Sequence, residues 1–354
     1  LIHEVKDKLT ELKLPAVWLP HGILGVSNSE VIVDNTEGDF GPFTGQVFVG
    51  DMGQSKIMRV VMEKINDEYQ GVAFDFRSDF QSGVMRMDWG NDGSMFVGET
   101  NRGWGSAGDT HAGLQRLEWT GITPMEMKTV SARVDGFEIE FTKPVDKDSA
   151  EDLSSYWGKS FTYKYHSVYG SPPIETQSLA IQGVKVSKDG YKVRLLIDNL
   201  EQYHIHEIHT PGIRSQEEAL PVLHSAAYYT LNNIPDGERL ILAELSTKRT
   251  KPETSVSLEE GSGDIDTPDN PVSKVDIKKL LDKNTCSACH KADKRQVGPA
   301  FMDIAKRNYS NEEIVELIHN PKPSNWPDYS TPMPTMPQVP KAEALKISEW
   351  INSL

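Results

Sequence analysis

Cys286-Ser287-Ala288-Cys289-His290 is the stretch on which the reading of this chain turns. Two thiols three residues apart on one helical turn can each add across a vinyl group of haem, and the adjoining histidine is then carried beneath the iron as its proximal ligand. That is the pattern of c-type haem attachment. The 354-residue chain contains two cysteines and both lie here, so no thiol remains for a structural disulfide. A thioredoxin-like redox pair is the competing reading, but it needs a βαβ surround that the neighbouring sequence lacks.

A haem needs a second ligand and a wall. Val297-Gly298-Pro299-Ala300-Phe301 follows the histidine closely, and Thr331-Pro332-Met333-Pro334-Thr335-Met336-Pro337 lies about forty residues beyond it. With these segments the chain resembles the small bacterial class I cytochromes c. In that family a Gly-Pro pair places a backbone carbonyl on the free N–H of the proximal histidine, and a Pro-Met-Pro loop delivers a methionine sulfur to the iron. The resemblance implies one covalent haem c attached at Cys286 and Cys289, with His290 and Met333 as iron ligands and Pro299 supporting His290. Thioether ligation opposite histidine raises the reduction potential, which suits an electron carrier. Met336 competes with Met333, although Met333 alone has proline on both sides. His319 is a third candidate, at a helix end where a surface residue is expected.

Helix signals surround this motif. Ser273-Lys274-Val275-Asp276 and Ser310-Asn311-Glu312-Glu313 each place an acid three residues after a serine, the spacing that satisfies orphan N–H groups at a helix start. Apolar residues at helical spacing follow: Val275, Ile277, Leu280 and Leu281 after the first, Ile314, Val315, Leu317 and Ile318 after the second. A third helix is expected from about Pro340 to the end, with Ala344, Leu345, Ile347, Trp350, Ile351 and Leu354 on its apolar face. The all-α cytochrome c domain is therefore placed at residues 272–354.

Composition bounds the remainder. With 37% apolar residues and a mean hydropathy below zero, the chain reads as a soluble protein of two or three domains. No apolar run approaches the roughly eighteen residues needed to span a membrane. A formal net charge of −15 argues against nucleic acid as a partner. The sequence opens on Leu1 with no signal peptide. Because haem attachment in the resembling family takes place outside the cytoplasmic membrane, a periplasmic or secreted location is expected, with the chain a processed or truncated piece.

Residues 247–271 are poor in apolar side chains and rich in Thr, Ser, Glu, Gly and Pro. Such a stretch cannot bury enough surface to offset its ordering entropy, so it is predicted to be a flexible linker with an end-to-end span of about 25 to 30 Å. Residues 123–246 before it predict an Ig-like β-sandwich. Asp135-Gly136 and Asp189-Gly190 mark hairpin turns, followed by the alternating sets Phe137, Ile139, Phe141 and Tyr191, Val193, Leu195, Ile197. Further strands are expected at residues 203–208 and 226–231. On the former, His204 and His206 share a face as a possible metal pair and His209 points away; with no third ligand evident, an ordinary strand edge is the preferred reading.

Residues 1–122 carry a repeat: Gly45-Gln46-Val47-Phe48-Val49-Gly50-Asp51 returns as Gly93-Ser94-Met95-Phe96-Val97-Gly98-Glu99, 48 residues on, each copy followed by a second strand. That interval suits propeller blades. Residues 41–51, 80–84 and 100–105 also resemble the last blades of secreted six-bladed quinoprotein sugar (glucose or sorbosone) dehydrogenases, a group often fused to a C-terminal cytochrome c; the likeness covers most of residues 15–235, the sandwich included. It implies PQQ and calcium at a propeller axis, a catalytic histidine, and a sugar or alcohol substrate. Fewer than three blades fit here, so the propeller is partial: either blades are lacking or the strands form an open sheet. The catalytic base is unknown. His21 and His111 lie in loops and are candidates, though ordinary loop histidines are the preferred reading, and Asp51 and Glu99 end equivalent strands as calcium ligands or turn formers.

The expected architecture is thus a partial β-propeller, a β-sandwich, a linker and a cytochrome c. The expected role is electron transfer through one haem, from a fused or partner quinoprotein dehydrogenase to a soluble cytochrome or a terminal oxidase, with the chain not oxidising substrate alone. The alternative is a carbohydrate- or partner-binding module carrying a docking cytochrome. A third reading, haem-based sensing or peroxidase action, requires an open position on the iron.

Overall fold

The computed structural model describes residues 1–6, 9, 11–103, 105–167, 171–250, 277, 280, 281, 284, 286–292, 294, 297–329, 333, 336 and 339–354. The chain opens with the strands β1 (Asn28–Val33), β2 (Val47–Asp51), β3 (Lys56–Ile65) and β4 (Glu68–Arg77). A meander of β5 (Val84–Trp89), β6 (Met95–Thr100) and β7 (Ala112–Leu117) follows. Next come β8 (Met127–Arg133), β9 (Gly136–Phe141), β10 (Trp157–Tyr163) and β11 (Pro173–Ser178). The last strands are β12 (Ile181–Val186), β13 (Lys192–Ile197), β14 (His204–His209) and β15 (Ala226–Leu231).

Local chemistry accounts for the tight hairpins. Between β3 and β4 the two loop residues Asn66 and Asp67 have φ of 50° and 64°, the double left-handed geometry that matches strand twist and that Asn and Asp tolerate. At the start of β9, Gly136 sits at φ 155°, and a Cβ there would lie 1.9 Å from the carbonyl oxygen of Leu195, so no larger residue fits. Both Asp-Gly hairpins anticipated from the sequence form, as β8 with β9 and β12 with β13. Phe137, Ile139, Phe141, Val193, Leu195 and Ile197 are buried as the alternation requires, but Tyr191 is 40% exposed because it still belongs to the turn.

The strands assemble into three sheets: eight strands in the order β1-β2-β3-β4-β15-β14-β10-β11, four in the order β12-β13-β9-β8, and three in the order β5-β6-β7. None closes into a barrel. The two repeat copies become β2 and β6, each paired antiparallel with the strand that follows it, β3 and β7. They do not form equivalent blades. The first continues through β4 into β15, so one sheet crosses the expected boundary between residues 122 and 123, and the radial repeat of a propeller is not visible among the described strands.

The eight-stranded sheet is covered on both faces. On one, Val72 and Phe74 meet Val130, Phe137, Ile139, Val193 and Leu195 of the four-stranded sheet, while Phe48, Ile57 and Phe76 meet Val84, Met87, Met95 and Val97 of the three-stranded sheet. On the other, Val49, Met58, Ala73, Ile205 and Tyr228 pack under Leu24 and the segment holding Val17, Trp18 and Leu19. Arg59 pins this stack together. Its guanidinium lies 4.3 Å from the ring centroids of both Phe43 and Phe74 and donates to the carbonyls of Met127 (2.6 Å) and Lys128 (2.9 Å) and to Gln46. Burial pushes its pKa down to about 10, which still leaves it charged at neutral pH.

Helices α1 (Ile2–Lys6) and α2 (Lys147–Ala150) are short, as are α3 (Cys286–Cys289) and α4 (Phe301–Ala305) of the C-terminal part, which also holds the longer α5 (Asn311–His319) and α6 (Lys341–Asn352). The capping box at Ser310 and Glu313 forms in both directions. The expected cap at residues 273–276 and residues 251–271 of the expected linker lie outside the described residues, although Ile277, Leu280 and Leu281 are helical. Ile277, Leu281, Phe301, Ile314, Ile347 and Ile351 make a separate core, tied by an edge-to-face contact between Phe301 and Trp350 at 5.0 Å. On α6 the inward face is Ala344, Ile347, Ser348 and Ile351, whereas Leu345, and Leu354 beyond the helix end, point to solvent.

Candidate functional site

The chain turns tightly around His290. Its backbone N–H continues α3 by donating to the Cys286 carbonyl at 2.9 Å, Gly298 N–H returns to the Cys289 carbonyl at 2.8 Å, and Phe301 N–H reaches the Lys291 carbonyl at 2.9 Å. This closed loop brings Pro299 back over the imidazole. His290 Nδ1–H donates to the Pro299 carbonyl at 2.7 Å, which assigns the proton to Nδ1 and leaves Nε2 as the lone-pair nitrogen. Burial pushes the imidazole pKa below its usual value, and the bond to Pro299 works weakly the other way, so the ring is neutral at neutral pH.

Gly298 is required by this arrangement. A Cβ at that position would come within 2.5 Å of His290 Cε1, so the backbone can lie against the ring only without a side chain. Cys286 and Cys289 sit one helical turn before and are not joined by a disulfide. Burial raises the pKa of the Cys289 thiol.

His290, Cys286 and Cys289 line a cavity of about 810 Å³. Phe301, Ile314, Leu317 and Ile318 give it an apolar wall, and both Met333 and Met336 reach it. A neutral imidazole with a free Nε2, two thiols on the adjacent turn, a cradle open only because residue 298 is glycine, and two soft thioethers make a donor set that fits haem iron. His319 does not line the cavity; both its ring nitrogens sit 2.8 Å from backbone carbonyls, those of Val315 and Val339. The flanking residues of the proline-rich loop, including Pro332 and Pro334, lie outside the described residues.

The other candidates have separate fates. His204 and His206 do share a face, but both are buried: His206 packs against Phe137 at 5.3 Å, and His204 Nδ1 meets the Gln202 carbonyl at 3.0 Å. His209 stacks on Trp157 at 3.6 Å and bonds to Glu207. Asp51 caps loops, accepting from the backbone N–H groups of Val26, Ser27 and Gln54, and Glu99 accepts from Ser82 N–H. No group of three or more His, Cys, Asp or Glu side chains among the described residues is arranged to hold a metal ion. His111 faces Asn101 at 3.2 Å on the surface. His21 lies in a loop that lines the haem-site cavity, a placement with no local sequence signal, since 269 residues separate it from His290.

Comparison with known proteins bears on the same segment. The family model described as cytochrome c matches residues 275–354. Cytochrome c-551 of Stutzerimonas stutzeri is 33% identical over 88 residues, covering 24% of this chain and 82% of that protein. Cytochrome c-551 of Pseudomonas denitrificans is 35% identical over 82 residues, covering 22% and 95%. Cytochrome c-552 of Hydrogenobacter thermophilus is 34% identical over 79 residues, covering 22% and 80%. Among solved structures, the N-terminal part of the bacterial S-layer protein SbsC aligns with 32% of this chain and 25% of its own at 20% identity, with a TM-score of 0.24 that carries no assignment.

Proposed function

Because the chain belongs through its C-terminal part to the cytochrome c family, and that family carries covalently bound haem c, we propose that residues 275–354 are a one-haem electron-transfer domain with His290 and Met333 as axial ligands. Cys286 and Cys289 anchor the porphyrin through thioether bonds. The observation that carries this reading is the 2.7 Å bond from His290 Nδ1–H to the Pro299 carbonyl, which presents the opposite nitrogen of a buried, neutral ring to the cavity. Haem supplies the one-electron couple when bound. The protein's part is to orient His290, to exclude water with Phe301, Ile314 and Leu317, and to offer a thioether that favours the reduced state.

Relatives named as cytochromes support exchange with a redox partner. No helix among the described residues is long and apolar enough to cross a membrane. The resemblance of residues 41–51 and 80–84 to quinoprotein dehydrogenases supports a sugar or alcohol as the ultimate electron source, through a partner that holds PQQ and calcium, with the chain working outside the cytoplasmic membrane. The test is production of the full chain in cells able to attach haem c. The expected result is a mass raised by one haem and a reduced spectrum of the c type that survives acid–acetone extraction. Extractable haem, or none, overturns the reading.

A further inference from the structure

The wall of the haem-site cavity is not completed by residues 275–354 alone. His21, Gly22, Ile23, Gly53, Lys159 and Pro173, all from the β-rich region, line the same space. They stand at one end of that region, where three loops are tied together. Asp51 holds the first loop through Val26 and Ser27, and Gln54 donates to the Gly22 carbonyl at 3.0 Å. The second loop carries Gly53, whose carbonyl accepts from Ala107 N–H at 2.9 Å, while Ser55 Oγ accepts from Gly108 N–H at 2.9 Å, so the third loop is fixed to it. The third loop then touches the residues just after the haem ligand. Lys291 Nζ donates to the Ala107 carbonyl at 2.9 Å, and Asp109 lies 3.7 Å from Lys291 Nζ and 3.5 Å from Lys294 Nζ.

Charge supports the pairing. Residues 275–354 hold eleven Lys and Arg against ten Asp and Glu, while the rest of the chain holds 26 against 42. A near-neutral domain presents two lysines beside its haem site to a strongly acidic neighbour. The contact is weak by construction: Asp109 is 77% exposed and Lys294 58%, so salt screens both ion pairs.

We propose that the loop cluster of Gly22–Ile23, Gly53 and Ala107–Asp109 is a built-in docking surface for the chain's own haem domain. It covers the mouth of the haem site reversibly, so an outside redox partner reaches that mouth only when the contact opens. This deepens the electron-transfer reading and rests on it for what is covered.

The test uses the full haem-loaded chain and its Asp109→Lys variant. An amine-acetylating ester, read by peptide mass spectrometry, reports the accessibility of Lys291 against the exposed Lys346 of α6. In the unchanged chain at low salt, Lys291 is expected to react several-fold more slowly than Lys346. The difference should shrink at high salt and in Asp109→Lys. Reduction of the haem by an uncharged quinol should be several-fold faster in the variant. Equal labelling of Lys291 and Lys346 in the unchanged chain overturns the docking, and so does protection that Asp109→Lys leaves intact. An unaltered rate of quinol reduction overturns the covering. Failure of the haem reading is a separate result, seen as protein without covalent haem before any labelling begins.

Discussion

The Nδ1–H of His290 donates to the Pro299 carbonyl across 2.7 Å, and the residue between loop and ring, Gly298, leaves no space for a methyl group. Gly298→Ala should therefore act on the haem rather than on the fold at large. The new Cβ would meet Cε1 of the imidazole at 2.5 Å, so either the ring turns or the loop lifts and the bond to Pro299 is lost. Overpacking of this kind costs about 1–3 kcal/mol. A chemical denaturation curve should show that loss, and the reduction potential should move with it because the ligand is no longer held. An unchanged potential in a stable variant would mean that the carbonyl does not tune the iron.

Both methionines reach the cavity, so the choice between them falls to substitution. Met333→Ala should leave haem attached, remove the sulfur-to-iron charge-transfer band of the oxidised protein and lower the potential. Met336→Ala should leave both nearly as they were. The reverse pattern would identify Met336 as the ligand, and loss of the band in neither variant would count against both.

The thiols separate attachment from ligation. Cys286→Ser should leave haem held by one thioether bond, with a weaker yield of holoprotein and an unaltered axial pair, since the imidazole is held by Pro299 and the serine keeps the backbone carbonyl that accepts from His290 N–H. Intact mass and the oxidised spectrum check the two halves independently. A spectrum that changes with the mass would show that Cys286 also sets the ligand field.

What could be seen in the sequence was local. The role of the Gly-Pro pair comes from the resemblance to class I cytochromes c, but the Cys-Cys-His motif and the Ser310 capping box each act within a few residues, so spacing conveys their geometry. The two Asp-Gly hairpins were visible for the same reason. The eight-stranded sheet was not, because its central joint pairs Ala73 of β4 with Tyr228 of β15, and alternation tells which face a residue takes but not which strand lies beside it. His21 reads in the sequence as a loop histidine, but its place on the wall of the haem-site cavity follows from tertiary packing. The burial of Arg59 is not legible in the sequence, since a charged residue in a strand reads as solvent-facing and only tertiary packing sets a pair of phenylalanine rings and two carbonyls around it.

Arg59 consequently gives the sharpest test of the β-rich stack. Arg59→Met keeps much of the volume but leaves Gln46 Oε1 and the Met127 carbonyl without their buried donor, while the Lys128 carbonyl keeps only the bond from Gln46 Nε2–H at 3.0 Å. Charge-assisted bonds of this kind are worth about 1.5–3 kcal/mol each to a buried partner, so a loss of about 3 kcal/mol or more is expected in urea unfolding. Haem attachment should be unaffected, because the C-terminal core is separate. A loss below about 1 kcal/mol would show that the methionine repacks the gap and that the polar groups find water.

His206 sets how the same stack responds to acid. It is fully buried beside Phe137, its Nε2 accepts from Glu201 N–H at 3.4 Å, and burial, with a smaller contribution from His204, brings its pKa down to about 3 from an ordinary 6.5. The folded chain therefore keeps this ring neutral between those values while the unfolded chain takes up a proton. The unfolded state binds more protons in that window, so stability rises with pH there and is lost as pH falls from about 6.5 towards 3. One such proton gives a slope of up to about 1.4 kcal/mol per pH unit. His206→Gln should flatten the slope between pH 6 and 4 even if it lowers stability at pH 7, and urea titrations at several pH values read both. An equal slope in the two proteins would assign the acid sensitivity to other groups and leave His206 as packing alone.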